Sequence, residues 1–149
     1  MLILKAGRLM KLLKGRLVID MKTIKYSVQP TFQFGDNDMI DIISSAVYDI
    51  GYWACIDNTT ENWQRVSLTL PSDHTFEDVM WTLLKTGQSV HIEDAEDSDG
   101  PWDLTLNKLL NGIKLTVEHG FWNGKLDDID GEVGDIIFQY ALFGEIVFG

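Results

Sequence analysis

The sequence predicts an α+β fold: a small, mostly antiparallel sheet covered by about four helices. Three observations point there. Short alternating apolar runs end at Pro30, Pro71 or a glycine, as strands do. Between them lie apolar stripes at helical spacing, each opened by a residue that can cap a helix. No repeat or long linker divides the chain, and its 149 residues suffice for one core.

Taken in order, Lys22 to Gln29 alternates with Ile24, Tyr26 and Val28 on one face, the pattern of a strand. Gly35-Asp36-Asn37-Asp38 supplies turn and capping chemistry for a helix whose stripe is Met39, Ile43, Ala46, Val47, Ile50 and Trp53. Asp57 to Asn62 reads as a loop. Val66, Leu68 and Leu70 alternate with Ser67 and Thr69, which predicts a second strand stopped at Pro71. Thr75 with Asp78 resembles a capping box, opening a helix with Phe76, Val79, Met80 and Leu83 inward and Gly87 as its stop.

Ser89 to Ile92 and Trp102 to Leu104 read as two strands of a hairpin. Thr105 caps a helix carrying Leu106, Leu109, Leu110, Ile113 and Val117. After a loop from Gly120 to Gly131, Asp130 caps a last helix with Val133, Ile136, Ile137 and Tyr140 inward. The apolar end, Phe143 to Gly149, is expected to dock as a strand or tucked segment.

Residues 1–20 differ from the rest and divide from a body at 21–149. They hold five bases and one acid, a charge of +4, whereas the whole chain carries −11, which leaves −15 on the body. Leu2, Leu9, Leu13 and Leu17 fall near one face of a basic helix, suited to a membrane surface or an organellar address. A secretory signal fits less well, because Lys and Arg interrupt every apolar stretch. A third reading places the native start at Met21, with Lys14-Gly15-Arg16 encoded by a stretch like a ribosome-binding site. Intact mass from the natural host tests this last reading, and a mass that includes residues 1–20 would refute it.

The lone Cys55 excludes an internal disulfide and a four-cysteine zinc site, which fits a reducing cytoplasm. No apolar run reaches the ~20 residues that span a bilayer. A body at −15 repels nucleic acid and anionic membrane, so direct binding to either is not expected. Its complements are basic surfaces or cations.

No catalytic motif is found, and no cofactor is expected. GxxxxGK[ST] and GxGxxG are absent. Asp97-Ser98-Asp99-Gly100 invites a calcium loop, but placing Gly100 at the sixth position puts Ala95 and Leu106 where the first and last ligands belong. A hairpin turn is the better reading. His74, His91 and His119 lie in separate elements without ligand spacing. Cys55 follows Tyr52-Trp53-Ala54 and reads as packing rather than as a nucleophile. The remaining candidates form a binding set: Asp97, Asp99, Trp102 and Asp103 at the hairpin, with Trp122, Asp127 and Asp128 in the later loop. Trp102 and Trp122 are expected as exposed anchors among carboxylates.

Three segments resemble a group of small acidic proteins of unassigned function from phages and integrated mobile elements of Gram-positive bacteria. They are Asp41-Ile42-Ile43 through Gly51-Tyr52-Trp53-Ala54-Cys55, Leu104-Thr105-Leu106 through Leu110-Asn111-Gly112-Ile113-Lys114, and Asp135-Ile136-Ile137 through Val147-Phe148-Gly149. The resemblance covers most of the body and implies a setting, not an activity. The expected function is a non-enzymatic interaction protein that occupies a basic surface of a host nucleic-acid-handling or defence protein. The alternative is a binder of a small ligand such as a nucleotide signal. A metal-dependent hydrolase built on the acidic clusters ranks below both.

Overall fold

A computed structural model describes the backbone of residues 2–5, 8–13 and 16–20, and the whole of residues 31–96 and 99–149. Two units are distinguished, Met1–Phe32 and Gln33–Gly149. With seven bases and one acid the first carries +6; with five bases and 22 acids the second carries −17.

In the first unit β1 (Leu2–Lys5), β2 (Arg8–Leu13) and β3 (Arg16–Asp20) form an antiparallel sheet in the order β1-β2-β3. This corrects the helical reading of residues 1–20. The strands pair in antiparallel register, Leu2 with Lys11 and Leu9 with Asp20, and glycine, a poor helix former, recurs in this sequence. The strand expected at Lys22 to Gln29 lies outside the described residues.

The second unit begins with α1 (Asp36–Val47), a 3₁₀ turn at Ile50–Tyr52 and β4 (Ala54–Ile56). It continues through α2 (Glu61–Thr69), α3 (Phe76–Lys85), β5 (Val90–Asp94) and β6 (Trp102–Leu104). It closes with α4 (Leu106–Glu118), a 3₁₀ turn at Leu126–Asp128 and α5 (Gly131–Phe143). The sheet is antiparallel with the order β4-β5-β6, so the fold is α+β with five helices about a small sheet.

Local signals hold where a side chain terminates an element. Thr75 Oγ1 accepts from Asp78 N at 3.2 Å while Asp78 Oδ2 accepts from Thr75 N at 2.8 Å, completing the capping box with aspartate at its third helical position. Thr105 and Asp130 cap α4 and α5 by accepting from Lys108 N and Val133 N. Two elements differ from expectation. The first helix stops at Val47 rather than running to Trp53, because the chain tightens at Ile50–Tyr52 and then enters β4. Val66, Ser67, Leu68 and Thr69 belong to α2, not to a strand: Thr60 caps it, Trp63 and Val66 turn inward one helical step apart, and Leu68 is left 88% exposed.

The core lies between the sheet and the helices. Ile42 and Ile43 of α1, Met80, Leu83 and Leu84 of α3, Ile92, Leu104, Leu109, Ile137 and Phe138 are fully enclosed. Two glycines let helices meet closely. A Cβ at Gly112 in α4 would strike Ile137 O and Ala141 of α5, and one at Gly134 in α5 would strike Ala46 and Ser45 of α1. Among the described residues, no helix is long and apolar enough to cross a membrane.

Candidate functional site

Two surface features combine charge with shape. The first is a shoulder around the start of α5. Asp127 and Asp128 on the 3₁₀ turn, Asp130 at the N-cap and Glu132 in the first turn are all exposed. Asp49 joins them from the end of α1, its carboxylate lying over Gly131, where a Cβ would collide with it. Part of this charge is explained locally, since a helix N-terminus favours anions. Asp130 Oδ1 accepts from Val133 N at 2.9 Å, and Asp128 accepts from the Asn123 side chain.

Beside the shoulder, Asp135 is a junction. Its Oδ1 accepts from Trp53 Nε1 at 2.8 Å and Gln139 Nε2 at 3.0 Å, and its Oδ2 accepts from Tyr52 O–H at 2.7 Å. Desolvation of the Tyr52 hydroxyl, together with its bond to Asp135, pushes that phenol up to about 12. Tyr48 and Tyr52 are 78% and 56% exposed, so two aromatic faces stand beside this acidic ground.

The second feature is a cleft of about 370 Å³ between α1, α3 and the turn after α2. Ile40, Leu70, Pro71 and Trp81 form its apolar lining, and Asp36, Asp73, His74, Asp78, Thr82 and Lys85 its polar lining. Asp36 opens α1 and accepts from Trp81 Nε1 at 2.8 Å and from Lys85 Nζ at 3.4 Å. The Trp81 bond first, and the Lys85 charge second, hold its carboxyl below the usual range. Asp78 gives Oδ2 to the α3 cap. The Asp73 side chain makes no hydrogen bond or ion pair with the described residues.

His74 is fixed at the cleft wall. Its Nδ1 lies 2.7 Å from Pro71 O, a pure acceptor, so Nδ1 carries the proton; in the neutral ring Nε2 then accepts from Ser67 Oγ at 3.0 Å. A serine, an imidazole and an orienting oxygen are the parts of a nucleophilic dyad. Ser67, however, lies inside α2, where its own N–H and those of its helical neighbours are spent on the helix. The trio is a staple from α2 to the turn before α3.

The sequence-derived candidates fall as follows. Asp97 lies outside the described residues. Asp99 is exposed at the hairpin tip, and Asp103 is exposed on β6 with Oδ1 2.8 Å from His91 Nδ1. Asp127 and Asp128 are exposed on the shoulder. Neither tryptophan is a free anchor. Trp102 is half-buried, its ring centroid 5.0 Å from Phe143 and 6.1 Å from Trp53. Trp122 is 5% exposed, stacked on Phe34 at 6.0 Å, with its Nε1 donating to Lys125 O. Both indoles close apolar ground that a hairpin and a loop would otherwise leave wet. Cys55, expected to pack inside, is exposed on β4 opposite Glu93 and hydrogen-bonded to no histidine.

No hydrogen bond, ion pair or ring contact among the described residues joins the hairpin to the later loop. Among the described residues no three His, Cys, Asp or Glu side chains are grouped to hold a metal ion. Sequence reasoning missed the cleft altogether. Its acids come from the start of α1, the turn before α3 and α3 itself, and only the packing of α1 against α3 brings them together. The one local signal was Pro71-Ser72-Asp73-His74, a turn ending beside a cap. No protein family, curated protein or solved structure matches the chain.

Proposed function

We propose that this is a non-enzymatic interaction protein whose acidic unit occupies a basic surface on a partner that handles nucleic acid. The observation that carries the reading is the segregation of charge. Residues 33–149 hold 22 carboxylates against five bases, and 15 of those carboxylates are exposed. Four of the five bases are already engaged. Arg65, Lys85 and Lys114 pair with Glu61, Asp36 and Glu118, and Lys108 Nζ donates to Asp103 O. The field outside this unit is therefore set by unpaired carboxylates, which can take the place of phosphates in a basic groove. The shoulder at Asp49, Asp127, Asp128, Asp130 and Glu132 brings five of the exposed carboxylates together.

The likeness of three segments to phage and mobile-element proteins supports a bacterial cytoplasmic setting and a host partner. The second reading, a small-ligand binder, draws on the cleft, whose volume of about 370 Å³ falls within the range of ligand sites. Three carboxylates in its lining fit poorly with a nucleotide.

The test is capture from bacterial lysate on the tagged full chain, with salt raised in steps. A partner with a basic groove, released as salt rises and displaced by added nucleic acid, supports the proposal. A lysate that yields nothing at low salt, or a partner whose retention is indifferent to salt and nucleic acid, overturns it.

A further inference from the structure

We infer that the cleft between α1 and α3 receives one arginine side chain of the partner. This inference rests on the reading of the chain as an acidic interaction protein and gives that reading an anchoring point. Three carboxylates, Asp36, Asp73 and Asp78, face a single ammonium, Lys85, which Asp36 already holds at 3.4 Å. Asp73 has no partner among the described residues, and Asp78 spends only Oδ2 on its cap. Acceptor capacity is therefore left over, and a cation is the complement that uses it.

The kind of cation follows from the spacing and the walls. Among the described residues Asp36, Asp73, His74 and Asp78 are not grouped to hold a metal ion, and an organic cation is the complement that the mixed polar and apolar lining suits. A guanidinium spreads its charge over a planar fork of five donors and reaches separated acceptors at once. Ile40, Leu70, Pro71 and Trp81 supply apolar walls for a methylene stem, and an indole favours a planar cation over a compact, strongly hydrated ammonium. The bonds from Trp81 Nε1 to Asp36 and from His74 to Pro71 O and Ser67 fix two of the ring systems before any ligand arrives. Such a pocket loses little freedom on binding.

The experiment is a titration of the isotopically labelled full chain with N-acetyl-arginine amide, read by NMR. N-acetyl-citrulline amide serves as the uncharged isostere, and N-acetyl-lysine amide and spermidine serve as other cations. The expected result is saturable movement of the Trp81 indole N–H and the Thr82 amide, with arginine amide bound at least tenfold more tightly than any of the three competitors. Asp73→Asn should weaken arginine amide by about tenfold without changing the rest of the spectrum, since that side chain holds nothing in the fold. Thr82→Phe, which fills the cleft from α3, should abolish the movement. Equal binding of citrulline amide or spermidine, movement confined to the shoulder at Asp127 to Glu132, or an unchanged affinity in Asp73→Asn would each overturn the inference. None of these outcomes bears on salt-dependent capture by the full chain, so the two proposals fail separately.

Discussion

Gln139 grips Phe148 on both sides of the peptide: its Oε1 accepts from Phe148 N at 2.7 Å, and its Nε2 donates to Phe148 O at 3.1 Å. The same Oε1 accepts from Val147 N at 2.8 Å, so one side chain satisfies the tail much as a neighbouring strand would. The tail in turn lays Phe148 on Trp53, stacked at 5.1 Å, and Trp53 Nε1 returns to Asp135. A buried amide on α5 thus organises both the C-terminus and the aromatic cluster.

Replacing Gln139 with leucine keeps the volume and removes every one of these bonds. The tail N–H and C=O groups must then find water, and the chain is expected to lose about 1–3 kcal/mol of stability. Limited proteolysis should cut after residue 144 in the variant before it cuts the parent. Denaturant unfolding with an unchanged midpoint would show that the tail is held by its apolar contacts alone.

The two helix crossings at glycine make a sharper prediction. At Gly112 an added methyl meets the Ile137 carbonyl and Ala141, and at Gly134 it meets backbone of Ala46 and Ser45. Backbone cannot swing aside as a side-chain tip can, so overpacking outweighs the helix propensity gained from alanine. Gly112→Ala and Gly134→Ala should each cost about 1–3 kcal/mol by thermal unfolding. Gly51→Ala, with nothing within 4 Å of the added carbon, serves as the control.

Tyr52 predicts a pH effect with a defined sign. Its phenol is held neutral up to about 12, whereas the unfolded phenol ionises near 10.0. Below pH 10 both states keep the proton and the contribution of the residue is complete. Between 10 and 12 only the unfolded chain ionises, so stability falls as pH rises through this window. Tyrosinate absorbance should include a late-titrating component, and Tyr52→Phe should remove it. A wild-type curve with every tyrosine ionising near pH 10 would refute the Asp135 linkage.

What was legible in the sequence was what a few neighbouring residues decide. Thr75 and Asp78 form a cap because they sit three apart, and the pattern shows it directly. Val66, Ser67, Leu68 and Thr69 misled because alternation over four residues fits either period, and the deciding residue, Thr60 at the cap, stood in what read as a loop. β4 is three residues long and shorter than any pattern that could announce it. Trp122 read as exposed because its neighbours are polar, yet its partner is Phe34, distant in sequence. The cleft belongs to the same class, since Asp36 and Trp81 meet only when α1 packs on α3.

The charge of the acidic unit yields a last prediction about stability itself. At −17 on 117 residues, with few bases to break up the field, carboxylates repel one another across the surface in the folded state more than in an expanded chain. Screening relieves this. As salt rises from about 0.01 M to 0.15 M the Debye length falls from about 30 Å to about 8 Å, shorter than the span of the unit. Unfolding followed by tryptophan fluorescence reports this unit, because Trp53, Trp63, Trp81, Trp102 and Trp122 all lie within it. Relief of about 1 kcal/mol should raise Tm by about 4 °C over that range. The rise should shrink when Asp127, Asp128 and Glu132 are changed to their amides, since those exposed acids stand close along the chain and none caps α5. If the amide variant gains as much from salt as the parent, the repulsion is spread evenly over the surface. An even spread would also remove the shoulder as the preferred face for a basic partner, so this stability measurement bears directly on where binding occurs.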